Sequence, residues 1–139
     1  MRDRTPVQAA AALVGLVFLV VGILGFIPGI TSHYSDLGFA GHESNAKLLG
    51  IFQTSVLHNL IHIAFGVGIL MARTPEGART YLIGGGVVYL VVWLIGAIGG
   101  LDWLPVNAAD NWLHIALGAG MIALGFVTGR DVSRETATA

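Results

Sequence analysis

The chain contains no cysteine, which excludes disulfides, thiolate metal sites, iron–sulfur ligation and thiol nucleophiles, and leaves the redox compartment unassigned. Charge is nearly as scarce. Charged residues make up 11% of the 139 positions and hydrophobic residues 55%, whereas a soluble domain carries about a quarter charged residues. A water-facing surface cannot be built from that composition. The seven basic and eight acidic residues nearly cancel, so no net field points to nucleic acid. There is no glycine-rich phosphate motif, no pair of catalytic carboxylates and no serine–histidine–acid arrangement, so an enzyme is the least supported class. Histidine, aspartate and asparagine carry whatever chemistry is present.

What the chain has instead is four long apolar runs. A helix crossing the ~30 Å hydrocarbon layer needs about 20 mostly apolar residues, because lipid offers the backbone no hydrogen-bond partners. Four stretches meet this, at about 7–27, 47–72, 78–99 and 110–128. The reading is an all-α membrane protein, a four-helix transmembrane bundle forming a single domain over 1–139. The first run, ended by Pro28 and Gly29, lacks a clear small-x-small cleavage site and reads as a retained span.

Basic residues are retained on the cytoplasmic side of bacterial membranes. Arg2, Arg4, Arg73, Arg79, Arg130 and Arg134 fall on one side of the four runs and Lys47 on the other. Both termini are therefore expected in the cytoplasm, with the multi-pass chain in the plasma membrane. Trp103 and Trp112 suit an outer aromatic belt.

An internal repeat runs through the apolar segments. Asn59-Leu60-Ile61-His62-Ile63-Ala64-Phe65-Gly66-Val67-Gly68 lies over Asn111-Trp112-Leu113-His114-Ile115-Ala116-Leu117-Gly118-Ala119-Gly120, with Asn, His, Ile, Ala and both Gly identical. A weaker echo pairs Val17–Val21 with Val88–Val92. The first two helices thus read as duplicated in the last two, a parallel repeat about an axis along the membrane normal. Twenty glycines imply close backbone approach between helices. Four-residue spacing occurs at Gly25 and Gly29, Gly96 and Gly100, Gly125 and Gly129, Ala64 and Gly68, and Ala116 and Gly120.

Within the second run, Thr54, Ser55, His58, Asn59 and His62 fall at helical spacing and form a polar stripe that should face away from lipid. The fourth run opens with Asp110, Asn111 and His114, so Asp110 stands where the repeat has His58. Three readings follow. The stripe can be neutral polar groups hydrogen-bonded to one another, fixing helix register. His58, His62, Asp110 and His114 can form a metal site, zinc being the plainest ion, with copper and iron open. His62 and His114 can be axial ligands of a haem between helices. His114 lies farther from Arg130 than His62 lies from Arg73, so the two imidazoles could differ in depth by about 7 Å. His33, Asp36, His42 and Glu43 in the long outer loop, and Asp102 in the second, read as solvated polar residues that could also supply ligands.

The runs Leu37-Gly38-Phe39-Ala40-Gly41-His42, Leu49-Gly50-Ile51-Phe52, Leu57-His58-Asn59-Leu60-Ile61-His62 and Asp110-Asn111-Trp112-Leu113-His114, with Arg4-Thr5-Pro6 and Arg73-Thr74-Pro75, resemble a family of small four-span actinobacterial membrane proteins labelled only as of unknown function. The resemblance implies a membrane location and a fold, and no activity. The leading expectation is a structural or accessory protein embedded in the lipid bilayer, packing as a homo-oligomer or within a larger membrane complex. The alternative is a metal- or haem-binding membrane protein, and behind it an oligomeric transporter or channel.

Overall fold

The computed structural model describes residues 4–41, 43–99 and 106–130. Arg2, His42, Gly100, Asp102, Trp103 and Arg134, each given a reading above, lie outside them.

Helix α1 spans Pro6–Leu24. Its start is fixed by Pro6, whose locked φ suits the first helical position and whose missing N–H would have had no partner. Gln8 Oε1 then accepts from the Thr5 backbone N–H at 3.0 Å. At the other end Thr31 Oγ1 donates to the Leu24 and Gly25 carbonyls, each at 3.2 Å, satisfying groups that a helix terminus leaves open.

The outer loop then folds into a small cap. Strands β1 (Thr31–Ser32), β2 (Lys47–Leu48) and β3 (Phe52–Gln53) form an antiparallel sheet in the order β1-β2-β3, with a 3₁₀ turn at Tyr34–Asp36. The second run expected from Lys47 is therefore helical only from Val56. Its first residues are apolar enough to read as membrane, but Leu49 and Gly50 take positive φ values of 53° and 73° and turn β2 back into β3. A left-handed pair cannot lie inside a helix.

Helix α2 spans Val56–Phe65 and α3 spans Gly68–Met71. Between them Gly66 and Val67 stay right-handed, and i→i+3 bonds such as Val67 N–H to Ala64 O at 3.0 Å carry the path on. At 1.5 Å per residue this pair is shorter than the membrane core. The cap is joined to its start: the Gly38 and Phe39 carbonyls accept the first N–H groups of α2, from Val56 at 3.0 Å and Leu57 at 2.9 Å.

Helices α4 (Pro75–Ala97) and α5 (Ala108–Thr128) follow. With α1 they are, among the described residues, the three helices long and apolar enough to cross a membrane, and they point to a membrane location. Their outward faces agree: Leu13 is 63% exposed, Leu94 53% and Val127 60%. Leaving such side chains in water would forgo about 1.5–3 kcal/mol each, a cost that lipid removes.

The inward faces repeat one spacing. Val7, Ala11, Gly15, Phe18 and Gly22 are buried on α1, and Asp110, His114, Gly118, Met121 and Gly125 on α5. Two close crossings set the architecture. A Cβ at Gly22 would stand 2.7 Å from the Asn59 carbonyl oxygen, and one at Gly86 would stand 2.7 Å from that of Gly118. Interhelical contact is thus made by glycines facing backbone. The four-residue pairs do this only in part, since a Cβ at Gly29 or Gly120 would meet nothing within 4 Å.

Candidate functional site

Beneath the small sheet, the N-terminal turns of α2 and α5 face each other. Ser55 caps α2, its Oγ accepting from the His58 backbone N–H at 3.1 Å. Asn107 caps α5 in the same way, its Oδ1 accepting from the Asp110 N–H at 3.0 Å. Two equivalent caps therefore start two helices whose next turns carry His58 and His62, and Asp110 and His114.

The three histidines come together. One ligand nitrogen each from His58, His62 and His114 lie within 4.8 Å of one another. Ring centroids are 4.7 Å apart for His58 and His62 and 5.9 Å for His58 and His114. The depth difference suggested by the distances to Arg73 and Arg130 does not keep His62 from His114. All three rings are buried, His62 most loosely at 9% exposure.

Their hydrogen bonding is incomplete. His58 bonds the Gln53 backbone, yet His58 Nδ1, His62 Nε2 and His114 Nδ1 have no partner among the described residues. A buried polar atom without a partner costs about 1–3 kcal/mol, so the three rings carry a strain that their neighbours among the described residues do not relieve. Nitrogens on one tetrahedral zinc lie about 3.3 Å apart, given Zn–N bonds of about 2.0–2.1 Å. The three imidazoles are spread wider than that, to as much as 4.8 Å.

Asp110 shares this space in another capacity. It is 2% exposed, and its Oδ2 accepts from the backbone N–H groups of Asn107 at 2.9 Å and Gln53 at 3.1 Å. It completes the cap of α5 and latches β3 to that helix. Asp110 is not among the groups whose ligand atoms converge, although it lines a cavity of about 90 Å³ with all three histidines, Asn59 and Thr54. A second cavity of about 80 Å³ lies against the same imidazoles and is closed by Tyr89, Phe65 and Ile61. Haem does not fit here: ligand sites of that size run to about 300–1,000 Å³.

Of the remaining stripe, Thr54 and Ser55 precede α2. Thr54 Oγ1 donates to Asn59 Oδ1, which fixes the amide against α1 beside Gly25. Asn111 is half-buried and its Oδ1 has no partner among the described residues. His33, Asp36 and Glu43 are exposed in the cap and apart from the cluster.

Phe18 and Tyr89 are site residues that reading the stripe alone does not find. Phe18 meets the His62 ring edge-on at 5.7 Å and Tyr89 meets His114 at 5.4 Å, while the two aromatic rings contact each other at 5.1 Å. The signal was the weaker echo, in which Phe18 and Tyr89 hold matching places within Val17–Val21 and Val88–Val92.

A family model described as a domain of unknown function (DUF4383) matches residues 8–127. No curated protein and no solved structure matches the chain.

Proposed function

We propose that this chain, which belongs to the DUF4383 family, is a four-span membrane protein that holds one transition-metal ion on His58, His62 and His114. The observation that carries the reading is the convergence of three buried imidazoles, each with an unpartnered nitrogen among the described residues. Three neutral imidazoles suit zinc, copper, iron or nickel, and zinc is the simplest because it has no geometric demand that three histidines fail. Asp110 supplies a negative charge in the same cavity, which offsets part of the charge of a divalent ion in a medium of low dielectric. The His58 bond to Gln53 orients one ligand, as outer contacts commonly do at metal sites.

The same proposal includes the parallel repeat and the fourth span, made by α2 and α3 together with the cap. Its support is that matching positions do matching things: Phe18 with His62 and Tyr89 with His114, and Gly15 and Gly86 buried at helix crossings. Both termini then lie in the cytoplasm, and a thiol label on Asp36→Cys should react from outside intact cells. Labelling only after permeabilisation would reverse the orientation.

A second reading treats the polar groups as devices of helix register in an accessory protein that packs with itself or a larger complex. Asn59 and Asp110 favour it, since their hydrogen bonds hold α2 and α5 in place. Elemental analysis of protein purified without a His tag separates the two. Metal binding predicts close to one ion per chain, lost in His62→Ala and His114→Ala while helical circular dichroism persists. No metal in the wild type, even after loading with zinc or copper, would leave helix register as the role of the stripe.

A further inference from the structure

At the opposite end of the bundle the chain repeats another motif, Arg4-Thr5-Pro6 and Arg73-Thr74-Pro75. Each opens a long helix, with Thr5 and Thr74 as the caps of α1 and α4 and proline in the first turn. Each arginine therefore stands one position before a cap. The fold draws the two copies together through Gln8, whose Nε2 donates to the Ala72 carbonyl at 3.1 Å and the Arg73 carbonyl at 2.9 Å. Gln8 Oε1 meanwhile accepts from Thr5 N and Thr5 Oγ1, both at 3.0 Å.

Between the copies lies a cavity of about 440 Å³, lined by Arg4, Thr5, Gln8 and Arg73 with Ile69 and Pro75 among its apolar wall. Among the described residues no acidic one lines it. Among the described residues neither Arg4 nor Arg73 has an ion pair or a side-chain hydrogen bond, although both are exposed and free to turn. Two guanidinium groups around one recess, at the basic end of a membrane bundle and beside an apolar wall, match a phosphate with a glycerol attached. Arginine pairs phosphate bidentately, which ammonium groups do not.

We infer that the recess between the twin Arg-Thr-Pro caps binds the phosphate headgroup of an anionic phospholipid. The inference is independent of the histidine cluster. A free phosphate would use the same two guanidinium groups, but the apolar wall offers it nothing, whereas a lipid places its glycerol and first methylenes there. Two basic groups near a membrane surface contribute about 1 kcal/mol each to anionic lipid binding, so phosphatidylglycerol should be held at least about tenfold more tightly than phosphatidylcholine.

Native mass spectrometry of the full chain in detergent, supplied with either lipid, measures this. The expected result is one retained phosphatidylglycerol, with the preference lost in the Arg4→Gln/Arg73→Gln double variant and kept in Arg130→Gln, which changes a basic residue at another helix end. Equal retention of the two lipids by wild type would overturn the site without recourse to any variant. Equal loss in Arg130→Gln would also overturn it, by showing a diffuse basic face. Displacement of the lipid by millimolar inorganic phosphate would contradict the lipid as occupant, while retention of the lipid under that challenge supports it.

Discussion

Helices α2 and α5 carry nearly the same opening, His-Asn-x-x-His in one and Asp-Asn-x-x-His in the other, yet the two asparagines lead different lives. Asn59 is 3% exposed, its Oδ1 bonded by Thr54 and its Nδ2 without a partner among the described residues, and it is pressed against α1 where Gly25 leaves room. Asn111 is half-buried with its Oδ1 unpartnered among the described residues, and a Cβ at Gly96, the place matching Gly25, would stand an ordinary 3.4 Å from it. The difference comes from what precedes each helix. The folded cap delivers Thr54 to α2, whereas α5 is started by Asn107 and Asp110, which use their polar atoms on the cap itself. Asn59 tightens a helix crossing, whereas Asp110 holds the small sheet to α5.

The sharpest way to break the comparison is at Asp110. Asp110→Ala removes the carboxylate that accepts from the Gln53 and Asn107 N–H groups and should cost about 2–4 kcal/mol, with faster hydrogen exchange at the Gln53 amide. His58→Ala, at the matching place, should abolish metal retention and leave that amide protected. Equal exchange in the two variants would remove the distinction between latch and ligand.

Next in size is the glycine pair. Gly25→Ala would drive a methyl group into the Asn59 amide and should cost about 1–3 kcal/mol, the range for overpacking a tight contact. Gly96→Ala should change stability by no more than about 0.5 kcal/mol. Thermal unfolding in one detergent measures both, and similar losses would mean the two crossings are equally tight. The smallest effect is polar: Thr54→Val should cost about 1 kcal/mol through Asn59, while Asn111→Leu should be neutral or stabilising because its amide oxygen has no bond to lose.

Much of this was legible in the sequence. Hydropathy found α1, α4 and α5 to within a few residues, because an 18-residue apolar stretch has few alternatives to a helix in lipid. It takes residues 47–53 for helix because they are mostly apolar, but Leu48 and Phe52 sit in short strands over the histidine cavity and Leu49 and Ile51 stand exposed in the turn between them. Hydropathy records burial and not backbone direction, so the turn at Leu49 and Gly50 was invisible to it. The helical spacing of His58 and His62 and the likeness of the two His-bearing segments put His58, His62 and His114 in one group, and the structure brings those three imidazoles together. Asp110 was grouped with them by the same logic, and spacing alone could not reveal that Gln53 would be folded back to meet its carboxylate. The aromatic pair Phe18 and Tyr89 reads in the sequence as ordinary membrane residues, because nothing in the apolar runs around them marks their contact with the imidazoles.

The central claim is that three imidazoles share one ion, and X-ray absorption at the zinc edge of the stoichiometrically loaded, tag-free protein tests it most directly. The account predicts nitrogen scatterers at about 2.0–2.1 Å with the outer-shell pattern of imidazole rings, weakened in His114→Ala. A shell of oxygen alone, unchanged in that variant, would contradict it and return the histidines to helix packing.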